Sequence, residues 1–314
     1  MSRIHEALKR AEREKGRSPA PSPRAADEPS AAPAPAAVSQ GGAAAAAAPA
    51  PAASSPQAVS HVAAVPQIAT AAASAPAVAP ITSPEGNTPA QLASCRRTHW
   101  HEDVSRLFFL AGRGPSFATE QLRTLRSRLY QARENRQLKT VLVTSAMPGE
   151  GKTFICANLA YAFARQTDRR VLLIDADLRA PSVHSLLGAP RDPGLASYLR
   201  GEAGLEQILQ RGPHENLFLI AAGKPPQNPA DLVAGGKLKA LLAQVAPLFD
   251  WILLDSPAAA PVTDALQIAG WCDGVLLVVE SGKTPYDLAQ SVTRELRQKR
   301  LLGVVLNRTE PSAN

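Results

Sequence analysis

Residues 140–153 read Thr140-Val141-Leu142-Val143-Thr144-Ser145-Ala146-Met147-Pro148-Gly149-Glu150-Gly151-Lys152-Thr153. The first five residues are a β-branched, apolar run that predicts a strand, and residues 153–165 continue in a helical pattern. A strand, a glycine-containing loop and a Gly-Lys-Thr at a helix start are together the context of a phosphate-binding loop. Gly149 and Gly151 let backbone N–H groups turn towards phosphate oxygens, and Lys152 supplies a point charge near the β and γ phosphates. The Thr153 hydroxyl can ligate Mg²⁺, and the helix N-terminus adds its dipole. The rival reading is an ordinary glycine-rich strand-to-helix turn, since Ala146 stands where GxxxxGK[ST] has its first glycine.

Working outward, strands are predicted at 171–174, 217–220, 251–254, 275–279 and 304–306, separated by helical or turn-rich stretches. Upstream, Ser116 opens a helical pattern to about residue 133, with Leu122, Leu125 and Leu129 on one face. Strands that are apolar almost throughout are buried on both faces, as in a parallel sheet covered by helices. The expectation is an α/β, doubly wound, mostly parallel P-loop NTPase domain over residues 99–314. Two of its strands end in acids. Residues 171–179 read Val-Leu-Leu-Ile-Asp-Ala-Asp-Leu-Arg and residues 251–257 read Trp-Ile-Leu-Leu-Asp-Ser-Pro, which place Asp175, Asp177 and Asp255 just past buried strand ends. Ligands bind there in open α/β sheets. A lone Asp after a strand is often only a helix cap, but two such strands beside a Gly-Lys-Thr loop argue for a nucleotide site.

The rest of the chain has another character. Residues 18–95 are mostly Ala, Pro, Ser, Gly and Val, with four charged residues (Arg24, Asp27, Glu28, Glu85) and no Phe, Tyr or Trp. Such a stretch cannot offset the entropy of ordering, so residues 18–98 are read as a disordered linker. Residues 2–16 predict a short amphipathic helix with Ile4, Ala7, Leu8 and Ala11 on one stripe, within an N-terminal unit of residues 1–17. A helix this short needs something to dock on. No apolar stretch reaches the ~18 residues of a membrane span, and the N-terminus lacks an apolar signal-peptide core. The three cysteines, Cys95, Cys156 and Cys272, show no metal or redox spacing. The net charge is +7: residues 1–17 carry +3, residues 18–95 carry −2 and the remainder +6. This balance admits an anionic partner, but no basic–aromatic stripe or recognition helix points to nucleic acid.

The combination of PGEGKT, LLIDADLRAPSVH and ILLDSPAAAPVTDA resembles the bacterial tyrosine kinase (BY-kinase) family, and more closely its CpsD/CapB-type members of capsule and exopolysaccharide synthesis. The likeness covers about residues 116–309, and the Asp175/Asp177/Arg179 element is its specific part. The chain lacks the additional P-loop lysine of MinD/ParA relatives. The resemblance implies ATP and Mg²⁺ as cofactors. It implies a nucleotide site of Pro148, Gly149, Glu150, Gly151, Lys152, Thr153, Phe154 and Asn307, with Asn307 at the adenine edge. It implies Thr153, Asp177 and Asp255 around Mg²⁺, and Asp175 or Asp177 accepting the tyrosine proton beside Lys152. It also implies a cytoplasmic protein, peripheral at the inner membrane through a membrane polysaccharide co-polymerase.

Glu120, Arg123 and Arg126 match the family's E-x-x-R-x-x-R subunit contact, implying a homo-oligomer. They span about a 120° arc of the helix, away from the leucine face, and a solvated charged face is the alternative. Two features depart from the family. Its C-terminal tyrosine cluster has no counterpart after Arg308; the four tyrosines are Tyr130, Tyr161, Tyr198 and Tyr286. Tyr161 and Tyr198 sit in apolar patterns, and Tyr286 is the one expected to be exposed. Glu280 stands where relatives often carry Arg. The alternative function is a non-kinase, MinD/ParA-like ATPase switch that regulates a membrane-associated assembly; a DNA- or membrane-associated partitioning protein is a third.

Overall fold

A computed structural model describes residues 92, 94–110, 116–260 and 263–309. The helix expected at residues 2–16 and the linker up to residue 91 lie outside the described residues.

The described residues form one eight-stranded sheet. In chain order the elements are β1 (Arg96–Arg97), α1 (Phe117–Glu134), β2 (Thr140–Ser145), α2 (Lys152–Ala164), β3 (Val171–Asp175), α3 (Val183–Leu187), α4 (Leu195–Arg200), α5 (Leu205–Ile208), β4 (Leu209–Arg211) and β5 (Leu217–Ile220). They continue with α6 (Pro229–Ala234), α7 (Lys237–Val245), β6 (Trp251–Asp255), α8 (Asp264–Ala269), β7 (Gly274–Glu280), α9 (Tyr286–Arg297) and β8 (Leu301–Asn307). The spatial order is β1-β4-β5-β3-β6-β2-β7-β8. Every pairing is parallel except β4 with β5. This is the P-loop NTPase fold that the strand–helix alternation predicts.

The period-2 geometry of a strand divides its apolar residues between two cores. Leu142, Leu172, Ile174, Ile252 and Leu254 face one, with α7, α8 and α9. Val141, Val143, Val171, Leu173, Trp251 and Leu253 face the other, with α1 and α2. Helix α2 is buried without interruption from Ile155 to Phe163. A helix apolar all round must be covered all round, and α1 together with residues 98–110 provides the outer cover. Asn158 ties that cover down: its Oδ1 accepts from Phe108 N (2.8 Å) and its Nδ2 donates to the Arg106 carbonyl (3.0 Å).

Two short strands escaped the sequence reading. Strands β1 and β4 are two and three residues long and carry Arg96-Arg97 and Leu209-Gln210-Arg211. Neither has the apolar run that signals a strand. The compositional boundary at residue 98 runs through this region, because Leu92 and Cys95 are buried in the first core.

Trp251 anchors the second core. It is fully buried, stacks on Phe163 with centroids 4.3 Å apart, and lies under the Arg133 guanidinium at 5.0 Å. Trp251→Ala removes these contacts and leaves a cavity, so urea unfolding is expected to show a loss of about 3–5 kcal/mol. An unchanged midpoint would show that the aromatic stack does not support the fold.

Candidate functional site

Strands β2, β6 and β3 are neighbours, and their carboxyl ends bring the predicted residues together. Asp175 pairs in register with Asp255, and Val143 with Asp255. Residues 146–151 leave β2, pass over this end and enter α2. Gly149 and Gly151 have φ of +85° and +91°, where a side chain is strained. At Gly151 a Cβ would also come within 2.2 Å of Asn307 Nδ2. The first N–H bonded within α2 is that of Ile155, to the Gly151 carbonyl (2.9 Å). The N–H groups of Lys152, Thr153 and Phe154 therefore point out of the helix N-terminus, where an anion binds.

Beneath the loop sits a buried charge cluster. Lys152 Nζ lies 2.9 Å from Asp177 Oδ2. Burial alone would lower the pKa of this ammonium; Asp255, Asp177 and Asp175 more than offset that and hold it above its ordinary value. Thr153 Oγ1 donates to Asp255 Oδ2 (2.6 Å), and Ser182 Oγ donates to Thr153 Oγ1 (3.0 Å). Asp255 Oδ1 is buried with no hydrogen-bond partner. Asp175 is fully buried and accepts N–H bonds from Asp177 (3.2 Å), Ser182 (3.2 Å) and Val183 (3.1 Å). Burial, then repulsion from Asp255, pushes Asp175 well above the usual carboxylate range against those bonds. Asp177 Oδ1 accepts from Arg179 N (3.2 Å) and Ala180 N (3.0 Å), which leaves Oδ2 for Lys152.

Other predicted residues reach the site differently. The Glu150 carboxylate folds back, accepting from Met147 N (2.8 Å) and from the Thr284 hydroxyl. Asn307 Nδ2 donates to the Glu150 carbonyl (2.8 Å), while its buried Oδ1 has no partner. Pro148 and Gly149 are exposed at the loop's crest. The Phe154 ring packs edge-on against Phe108 (centroids 5.3 Å), so only its backbone belongs to the loop. Ser182, Thr284 and Asp264 were not singled out from the sequence. Asp264 is buried and holds Arg179 with two bonds, at 2.8 and 3.2 Å. Both Asp264 and Ser182 lie in quoted stretches, 252–265 and 172–184, which were the available signal; Thr284 gave none.

Residues 141–314 match the nucleotide-binding domain model of the CobQ/CobB/MinD/ParA type. The chain is 38% identical over 194 residues to the tyrosine-protein kinase YwqD of Bacillus subtilis, a match covering 61% of this chain and 81% of that protein. The chain belongs to the bacterial tyrosine kinases. The kinase domain of the Escherichia coli tyrosine kinase ETK superposes with a TM-score of 0.60 at 29% identity, covering 63% of this chain and 79% of that one. A chimeric protein, CapA2B2, gives 0.62 at 28% identity, covering 71% and 97%. Other curated kinases are longer: the chain spans 27% of the tyrosine-protein kinase ptk of Acinetobacter johnsonii, at 31% identity over 62% of its own length.

Against that family pattern, Glu280 has a local account. Its side chain lies between Arg308 Nη1 (2.9 Å) and Lys283 Nζ (3.3 Å), tying the ends of β7 and β8 together. On the kinase's outer helix, Arg123 pairs with Glu120 at the surface, whereas Arg126 Nη1 donates to the Ala162 carbonyl in the last turn of α2 (2.6 Å). Tyr161 is buried with its hydroxyl on Glu102, and Tyr198 is half-buried. Tyr286 is also half-buried rather than exposed, because as the first residue of α9 it leans back on the helix and accepts from Gln290 Nε2 (3.1 Å).

Burial raises the Asp255 pKa from 3.8 to about 6, although Lys152 and Thr153 oppose the shift. The folded state thus holds this proton more tightly than the unfolded state does. The resulting stability is full below about pH 4 and is lost as pH rises through about 6. Without nucleotide, Asp255→Asn is expected to raise stability by roughly 3 kcal/mol at neutral pH and by well under about 1 kcal/mol at pH 4. Thermal unfolding at the two pH values checks this; equal effects at both would show that Asp255 ionises without cost.

Proposed function

We propose that this kinase binds ATP with Mg²⁺ and transfers the γ-phosphoryl group to tyrosine, in the control of capsular or exopolysaccharide synthesis. The observation that carries the reading is the contact between Lys152 and Asp177, with Thr153 and Asp255 paired beside it. The P-loop cation and the DxD acid are held together where the helix N-terminus collects phosphate.

Lys152 binds the phosphates, and in doing so leaves Asp177 Oδ2. Asp177 then accepts the phenolic proton as the tyrosine oxygen bonds to phosphorus and the bond to ADP breaks. Asp175 has both oxygens committed to backbone N–H groups, which supports a positioning role and favours Asp177 as the base. Thr153 and Asp255 would hold Mg²⁺, with Asp177 in reach directly or through water. The orphaned, buried Asp255 Oδ1 fits that demand, since Mg²⁺ takes one or two protein oxygens together with phosphates and water. Bound there, the ion neutralises charge on the transferring group. The unpartnered Asn307 Oδ1 suits the amino group of adenine, whereas guanine offers a carbonyl at that edge.

All four tyrosines are buried or half-buried. That supports phosphorylation of a separate protein, and it keeps a second reading open in which ATP drives association without kinase activity. The expected partner is a membrane polysaccharide co-polymerase that keeps a cytoplasmic kinase at the inner membrane. Among the described residues no helix is long and apolar enough to cross a membrane. Incubation with labelled ATP, with and without that partner, tests the proposal. Phosphotyrosine on either protein supports it; ATP turnover without phosphotyrosine supports the switch.

Lys152→Ala is expected to slow ATP turnover by about 3–5 kcal/mol of transition-state stabilisation, in a folded protein. Full turnover in this variant would remove the P-loop assignment. We propose self-association through the Glu120–Arg123 surface. Arg123→Glu is expected to lower the nucleotide-dependent mass seen by light scattering and leave the unfolding midpoint in place. Arg126→Ala, which frees the Ala162 carbonyl, is expected to lower stability by about 1–2 kcal/mol and the unfolding midpoint with it. An unchanged mass in Arg123→Glu returns that pair to a solvated face.

A further inference from the structure

A parallel sheet gives the domain two unlike ends, and the nucleotide cleft uses only one. At the other end, α9 finishes and β8 begins. Residues 294–300 read Arg-Glu-Leu-Arg-Gln-Lys-Arg. Arg294, Arg297, Lys299 and Arg300 are all exposed, and among the described residues no ion pair or side-chain hydrogen bond holds any of them. Glu295, within the same stretch, is exposed, and Asp273, just before β7, has its Oδ2 occupied by the N–H groups of Lys139 and Thr140 (3.0 and 2.8 Å). Lys299 Nζ reaches the neighbouring turn, 3.9 Å from where a side chain on Gly270 would begin. The next residue there is Trp271, half-buried and packed against the first core.

Part of this charge has a local explanation. Arg294 and Arg297 lie in the last turn of α9, where cations complement the helix dipole. Lys299 and Arg300 lie beyond the helix, outside that account. Arg300 has a φ of +62°, a left-handed position that ordinarily goes to Gly or Asn, yet it carries a long cation.

We propose that this end of the domain docks on an anionic lipid surface. Basic residues are drawn to anionic headgroups, and a half-buried indole beside them suits the headgroup level. The contact adds to any held by a partner protein and leaves the nucleotide cleft facing away from the bilayer.

The test uses the full chain with phosphatidylcholine vesicles, with and without phosphatidylglycerol. Co-sedimentation is expected only with phosphatidylglycerol. In a variant carrying Arg297→Glu, Lys299→Glu and Arg300→Glu it is expected to fall about ten-fold or more. ATP turnover in solution is expected to stay unchanged, since none of the three lies at the cleft. Trp100 is 8% exposed and Trp251 0%, so brominated lipid is expected to quench chiefly Trp271, and Trp271→Phe to abolish the quenching. Three results would each overturn the proposal: the triple variant sedimenting like wild type, equal binding to phosphatidylcholine alone, or duplex DNA displacing the protein from vesicles through the same residues.

Discussion

One ammonium among three carboxylates governs this structure. Lys152 touches Asp177, and Asp175 and Asp255 stand within its field at the ends of adjacent strands. Burying charge is costly unless it is paired, and here the acids outnumber the base. Burial first, and repulsion between the acids after it, raises the proton affinity of Asp175 and Asp255. A site with this imbalance is least comfortable empty, and the proposed Mg²⁺ at Asp255 would relieve it.

The rest of the fold keeps that cluster dry and in place. Helix α2 presents its N-terminus to the cluster only because its length is buried between the sheet and the cover that Asn158 fastens. A second tier braces the P-loop from the side. Glu150 links it to Thr284, and Asn307 holds its backbone. Glu280 clamps the strand ends that carry both through Lys283 and Arg308. Arg179, fixed by Asp264, ties the loop after β3 to α8. The ends of five strands, β2, β3, β6, β7 and β8, thereby converge on one loop.

The sequence made the central sheet and the acids legible, because a strand buried on both faces announces itself in composition and its final Asp is hard to miss. Strands β1 and β4 were not legible, since a two- or three-residue edge strand rich in Arg has no periodicity. Side-chain direction was also hidden. Glu150 and Phe154 belong to the P-loop and the first turn of α2, yet the carboxylate bonds to Thr284 and the ring packs on Phe108. Arg123 and Arg126 look equivalent in a repeating motif, but only the second caps α2. Nor did spacing reveal that Glu280 has two cations, Lys283 and Arg308, beside it.

The central claim is that the cluster exists to receive a metal–nucleotide pair, and its most direct measurement is ATP affinity as a function of Mg²⁺ in wild type and Asp255→Ala. The account predicts that Mg²⁺ strengthens ATP binding to wild type and has little effect on the variant, because the orphaned oxygen is gone. ATP affinity indifferent to Mg²⁺ in wild type, or equally responsive in both proteins, would contradict it.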